Sequence, residues 1–219
     1  VAPAAETLLP FLEDNYLWSS APQCHLLQDG FNTHYLVEAA PERYVLRLYR
    51  WGWRTLDDIG YELEMLDHLA ARGVPVCPAI ARRDGRHYGH IIEDGNPRVA
   101  VLFSCARGQP VEANSPVILA NCGRILALIH QHAEDGPRTP QRFQLDLNHL
   151  IDQPVAVVQP MLRQRQADGE YLRKIAAALE AGLTPQVEHL EWGFCHGDFH
   201  GGNAHIDAEG KIRIFDFDC

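Results

Sequence analysis

Apolar and polar positions divide the first half of the chain into short β-rich runs and one helix. His34–Glu38 and Tyr44–Arg50 are strand-like and are joined by Ala40-Pro41-Glu42, which suits a hairpin connection. Within the second run Val45, Arg47 and Tyr49 fall on one face. Thr55–Arg72 reads as a helix, with Thr55 as its cap, Asp58 three residues on, and Gly73 and Pro75 ending it. Ile59, Glu62, Leu66 and Leu69 lie on one side of that helix, so a carboxylate sits inside an apolar stripe. Arg86–Ile92 and Arg98–Phe103 form a further strand pair around the turn Asp94-Gly95-Asn96-Pro97.

After Gly108 the pattern becomes helical. Ser115-Pro116 opens a helix whose Ile118, Cys122, Ile125 and Ile129 share a face, and Gly136–Pro140 reads as a loop. A second helix is expected near Tyr171–Leu183, with Leu172, Ile175, Leu179 and Leu183 in register. The chain then returns to strands. Ala204–Ile206 and Lys211–Phe215 flank Asp207-Ala208-Glu209-Gly210, a hairpin signal. The plan is α+β and two-lobed, with a β-rich part over residues 1–104, a hinge near Ser104–Gly108 and a helical part over 105–219. A cleft between such lobes is a common ligand site.

Composition narrows the partners. The 219 residues are 46% hydrophobic and 22% charged, enough to bury a core. A net charge of −10 argues against a nucleic-acid binder, which would carry a basic stripe, but not against phosphate binding, which depends on local charge. No apolar run is long enough to cross a bilayer, and Val1–Pro10 lacks the features of a signal peptide. The six cysteines form no C-x-x-C pair and read as reduced thiols, so a cytoplasmic protein is expected. Starting at Val1 and stopping at Cys219 just after a strand-like run, the chain reads as a fragment whose helical part is incomplete at its C-terminus.

The densest chemistry lies in Phe194-Cys195-His196-Gly197-Asp198-Phe199-His200-Gly201-Gly202-Asn203 and in Ile214-Phe215-Asp216-Phe217-Asp218. Phosphoryl transfer needs a carboxylate beside the attacking hydroxyl, and hard oxygen ligands for Mg²⁺. Asp198 and Asn203 have the spacing of the kinase catalytic loop H-R-D-x-x-x-x-N, and Gly201-Gly202 allows a tight turn between them. Asn203 precedes the first strand of the hairpin and Asp216 follows the second, so antiparallel pairing brings the two together. Arg47 on an inner strand face and Glu62 in an apolar helix stripe would each be costly alone, and pairing resolves both. A structural ion pair is the plainer reading of the same two residues.

The run H-G-D-x-x-x-x-N followed by I-x-D-x-D resembles the aminoglycoside phosphotransferase-like superfamily. That group includes aminoglycoside, choline, ethanolamine and type II homoserine kinases and a bacterial stress-response protein kinase. The likeness extends to Tyr44–Arg50, Glu62-Leu63, Gly108, and Gly123 with Leu126-Ala-Leu-Ile-His130, and covers roughly residues 24–219. It implies a protein-kinase-like fold and ATP with Mg²⁺ as cofactors. Asp198 would act as base or orienting carboxylate, and His196 would support the loop. Asn203 and Asp216 would hold the metal, with Asp218 helping a second metal or a cationic substrate. Arg47, positioned by Glu62, would bind the ATP phosphates, with Arg standing where kinases place Lys. Gly30 and Asn32, in the turn Gln28–Thr33, would cover the phosphates, although an ordinary hairpin turn explains that stretch nearly as well. Phe103–Cys105 would offer backbone groups to adenine.

The acceptor would be a hydroxyl of a small molecule or of a protein Ser/Thr. The spread of motifs, including Leu145-Asp-Leu-Asn148, most resembles the stress-kinase and homoserine-kinase branch. Two other classes compete with this reading. A zinc hydrolase using His196, His200 and His205 has the wrong spacing. A catalytically inactive nucleotide-binding scaffold is disfavoured by the presence of Asp198, Asn203 and Asp216 together.

Overall fold

The computed structural model describes residues 2–112, 114–138 and 142–219. The chain divides into two compact units, Val1–Thr139 with Phe194–Cys219, and Pro140–Gly193. In the first, β1 (Gln23–Asp29), β2 (Thr33–Ala39), β3 (Glu42–Leu48), β4 (Tyr88–Glu93) and β5 (Asn96–Ser104) form an antiparallel sheet in the order β1-β2-β3-β5-β4. Successive side chains point to opposite faces, and both faces are covered. Tyr35, Val37, Leu46, Leu48, Ala100 and Leu102 pack on one face against Leu8, Leu12 and Tyr16. Tyr49, Val101 and Phe103 belong to a second core with Ile59, Leu63, Leu66 and Leu69.

The first core contains an element absent from the sequence reading. A 3₁₀ turn, Ala5–Leu8, runs into helix α1, Leu9–Asn15. This corrects the expectation of a single helix in the first half. The segment is too short to display a period, no side chain caps it, and Pro10 lies in its first turn. Strand β1 was likewise only implied by the turn that follows it.

Helix α2, Leu56–Ala71, starts as the sequence suggests. Thr55 accepts from the Asp58 amide while the Asp58 carboxylate accepts from the Thr55 amide, a complete capping box. Its inward stripe includes Ile59, Glu62, Leu66 and Leu69, all buried. After β5 come β6 (Gln109–Pro110) and α3 (Pro116–Ala133), whose Cys122, Ile125 and Ile129 are buried. The loop expected at Gly136–Pro140 is seen at residues 136–138, and its last two residues lie outside the described ones. Strands β7 (Ala204–Ile206) and β8 (Ile212–Ile214) form the expected hairpin and join β6 in a small antiparallel sheet. The Ile214 amide donates to Pro75 O at 2.9 Å, stitching this hairpin to the segment after α2. Gly108 passes so close to β7 that a Cβ on it would lie 1.9 Å from Ile206 O.

The second unit is helical. A helical run from Asn148 includes α4 (Gln153–Val158) and a 3₁₀ turn, Gln159–Leu162, and is followed by α5 (Gln166–Val187). Only Ile151 and Gly169 are buried among its described residues. The expected stripe on α5 is present and mostly exposed, with Leu172 half-buried but Leu179 50% and Leu183 44% exposed. Among the described residues no helix is long and apolar enough to cross a membrane.

Candidate active site

The first unit holds a cavity of about 740 Å³. Its walls include Leu36, Val45, Phe103 and Cys105, and its polar end is made by Arg47 and Asp216. The volume is within the range of small-ligand pockets, and the mixture of apolar walls with a few converging polar groups is typical of them.

Arg47 organises the polar end. Strand β3 places it on the face covered by α2, directly opposite His34 of β2. Its Nη1 donates to Glu62 Oε1 at 2.8 Å, its Nη2 to Asp216 Oδ1 at 2.7 Å, and its Nε to His34 Nε2 at 3.2 Å. Tyr49 closes the group by donating to Glu62 Oε2 at 2.8 Å. Burial alone would lower the Arg47 pKa, but the Glu62 carboxylate and its neighbours hold it well above the usual value, so the side chain stays cationic. The same burial, with Glu62 alongside, pushes the Tyr49 phenol up. The guanidinium also lies 4.8 Å over the Phe103 ring.

The side formed by the loop 196–203 is more open. A short 3₁₀ turn, Gly201–Asn203, precedes β7, and Gly201 packs on the chain at Val111, where a Cβ would lie 2.1 Å from Val111 O. Asn203 is buried and donates from Nδ2 to Asp198 O at 2.9 Å and to Asp198 Oδ2 at 3.5 Å. The amide nitrogen is thereby turned toward Asp198, leaving Oδ1 as the group to offer a ligand. The hairpin does what its register requires. The Phe215 amide donates to Asn203 O at 3.0 Å, which sets Asp216 beside Asn203. Asp216 has φ 69°, a left-handed conformation uncommon for a residue with a side chain. Such strain costs about 1–3 kcal/mol and persists where surrounding contacts over-determine it; here the Arg47 pair is one of them.

The cavity gathers Arg47, Glu62, Phe103, Cys105, Asn203 and Asp216. His196 is buried just behind them, its Nε2–H donating to Phe215 O at 2.9 Å. Burial pushes its pKa down, which favours the neutral ring, and its bond ties the loop bearing Asp198 to the segment bearing Asp216. Asp198 is more exposed, at 59%, and lies off the cavity wall. Gly30, Asn32 and Asp218 are also outside that wall. Asn32 and Asp218 bond to each other, Nδ2 to Oδ2, at 2.7 Å. The three histidines of the zinc alternative have separate partners: His196 the Phe215 carbonyl, His200 the Gly202 amide, His205 the Ala106 carbonyl.

His34 is the residue that the sequence reading missed. Burial first, and then the Arg47 charge, lower its pKa to about 4. Its Nε2 accepts from Arg47, so the ring proton is on Nδ1, which is buried without a hydrogen-bond partner among the described residues. The available signal was positional: a histidine in a β-rich run whose hairpin partner carries the buried cation.

Among the described residues no group of three or more His, Cys, Asp or Glu side chains forms a metal site, so a cation here would need the Asn203 amide. One amide oxygen and one carboxylate, with room for water and phosphate oxygens, suits Mg²⁺, which rarely takes an all-protein shell. The donor set fits that ion.

Residues 24–219 match the Phosphotransferase enzyme family. An uncharacterized protein of Deinococcus radiodurans is 37% identical over 215 residues, covering 98% of this chain and 62% of its own length. A homoserine kinase of Methylobacillus flagellatus is 28% identical, covering 85% of this chain and 54% of its own. The chain thus spans less than two thirds of the length of these relatives. Among solved structures, a microcompartment-associated aminopropanol kinase superposes with a TM-score of 0.67 at 25% identity, over 93% of this chain and 66% of its own. The α+β architecture is therefore the kinase-like one.

Proposed function

This chain belongs to the phosphotransferase enzyme family, and from that premise we propose that it moves the γ-phosphoryl group of ATP to the hydroxyl of a small amino alcohol. The observation that carries the reading is the convergence of the buried Arg47–Glu62 pair with Asn203 and Asp216 on one cavity. Leu36, Val45 and Phe103 give the base an apolar slot, with backbone groups of 103–105 at its edge. Arg47, fixed by Glu62, faces the phosphates. Its fork is engaged by His34, Glu62 and Asp216, so it enters as a rigid charge. Asn203 and Asp216 would hold Mg²⁺, which neutralises charge on the phosphate oxygens when bound.

Asp198 is the carboxylate for the acceptor. Its exposure leaves it free to meet an incoming hydroxyl, orient it and take its proton as the phosphoryl group is transferred. The amino-alcohol class is suggested by two relatives of different kinds, a homoserine kinase and an aminopropanol kinase. Both names describe a small acceptor with an amine and a hydroxyl.

The test supplies the full chain with γ-labelled ATP and Mg²⁺ and offers aminopropanol, homoserine, choline, an aminoglycoside and a Ser/Thr-rich polypeptide. Label is expected in an amino alcohol. Label only in polypeptide would overturn the acceptor class, and nucleotide binding without transfer to anything would favour a scaffold.

A further inference from the structure

Asp218 has neighbours that the transfer chemistry does not use. Asn32 donates from Nδ2 to its Oδ2 at 2.7 Å. Arg54 donates from Nε to its Oδ1 at 3.0 Å, and from Nε and Nη2 to its backbone carbonyl at 2.9 and 2.6 Å. The triad is nearly closed to water, with Asn32 5% and Asp218 7% exposed and the Arg54 side chain 6%. The Asn32 amide cannot simply turn over, because its Oδ1 already accepts from the Arg50 amide at 2.9 Å. Its nitrogen is committed to Asp218.

These bonds join three separate stretches: the turn between β1 and β2, the loop between β3 and α2, and the segment two residues beyond Asp216. The turn has one glycine, Gly30, a short internal bond from the Gly30 amide to Asn32 O at 3.1 Å, and a bond across its base from Thr33 Oγ1 to Asp29 Oδ1 at 3.2 Å. Neither of these ties it to the segment that bears Asp216. The same junction is closed from outside, where Phe31 meets Trp53 edge-on at 4.4 Å and Arg50 lies 4.9 Å over the Phe31 ring. Both carboxylate oxygens of Asp218 are engaged by donors within the protein, a poor arrangement for a magnesium ligand.

We propose that Asp218 is a positioning residue, which through Asn32 fixes the Gly30–Asn32 turn over the nucleotide phosphates and in register with Asp216. In this proposal the expected role of Asp218, help for a second metal or for a cationic substrate, gives way to that of a tether. This inference rests on the ATP reading, and its test separates the two.

The variants are Asn32→Asp, Asp218→Asn and the double variant, all in the full chain. Asn32→Asp sets two carboxylates face to face, and Asp218→Asn leaves its amide nitrogen facing a donor, either Asn32 Nδ2 or Arg54 Nε. The double variant restores a carboxylate–amide pair with its polarity reversed. Binding of a non-hydrolysable ATP analogue with Mg²⁺ is measured by calorimetry. Each single variant should bind about tenfold more weakly, equivalent to about 1.4 kcal/mol, with the loss falling on the nucleotide KM rather than on kcat. The double variant should recover to within about threefold of the parent. Single variants that bind like the parent would overturn the tether. So would a Mg²⁺ midpoint displaced as far in the double variant as in Asp218→Asn, since that makes the carboxylate at 218 a ligand. A parent chain that binds no nucleotide removes the ATP reading instead. Amide exchange across Gly30–Asn32 then still reads the tether, and is expected to be fast in the single variants and slow in the parent and double variant. If Asn32→Asp does not fold, Asn32→Ala takes its place with the same expected loss.

Discussion

Arg47 and Glu62 keep 5% and 1% of their side-chain surface, whereas Asp198 keeps 59%. The first two lie in a sheet-and-helix core where every polar atom of the pair has a protein partner before any ligand arrives. Asp198 sits on a loop, held mainly through its backbone carbonyl by Asn203. Pre-formed charge suits the phosphates, which need the same clamp at every turnover. An open carboxylate suits an acceptor that must enter, lose a proton and leave. The contrast also means that mutations on the two sides should fail differently.

The largest effect is expected at the open side. Asp198→Ala should slow transfer by about 10²–10⁴-fold, the usual share of a positioned acid–base group. Its unfolding free energy should stay within about 0.5 kcal/mol of the parent, since the side chain is exposed and the buried Asn203 Nδ2, which reaches its Oδ2 only at 3.5 Å, keeps the shorter bond to the Asp198 backbone carbonyl. Single-turnover rates and urea denaturation, run on the same preparation, measure both. A normal rate would place the proton transfer elsewhere, and a large stability loss would show that the two sides are not separable.

The buried side should give the opposite signature. Glu62→Ala removes the acceptor for Arg47 Nη1 and for the Tyr49 hydroxyl, leaving a buried cation with less compensation. Breaking one partner of a buried pair costs about 3–5 kcal/mol, and the retained Asp216 contact favours the lower end. Urea midpoints should fall accordingly, and ATP affinity should fall with them. If stability holds while only binding is lost, the pair is a ligand clamp with no structural share.

Much of this arrangement was legible in the sequence because it follows periodicity. A lone cation between Val45 and Tyr49 on one strand face and a carboxylate at helical spacing in an apolar stripe each called for a partner, and Arg47 and Glu62 meet at 2.8 Å. The Asn203–Asp216 approach follows from hairpin register in the same way. What periodicity does not carry was missed. The α1 helix is too short to repeat, and its role, covering the far face of the sheet, is a tertiary fact. Asp218, expected to help a second metal or a cationic substrate, is engaged by Asn32 and Arg54, partners far away in sequence that no period connects to it. The α5 stripe was read correctly as a helical face, yet a period says nothing about what covers it.

The smallest effect tests how tightly the buried side is tuned, and pH is the means. His34 has an unfolded-state pKa near 6.5 and a folded one of about 4, lowered by burial and then by the Arg47 charge. Between those values the unfolded chain binds more protons than the folded one, so stability falls as pH drops from about 6.5 to 4 and levels below that. The depression corresponds to about 3 kcal/mol at its full extent near pH 4, and to almost nothing at pH 7. His196, also lowered by burial, slopes the same way, so the parent profile alone does not separate them. His34→Gln keeps an acceptor for Arg47 Nε but cannot titrate, and the difference between the two profiles isolates His34. The variant should lose less stability than the parent on going from pH 7 to pH 4, measured by urea midpoints. Parallel profiles would mean that the ring takes up its proton without opposing the Arg47 charge. The buried side would then be looser than its distances imply, and closer in character to the open side across the cavity.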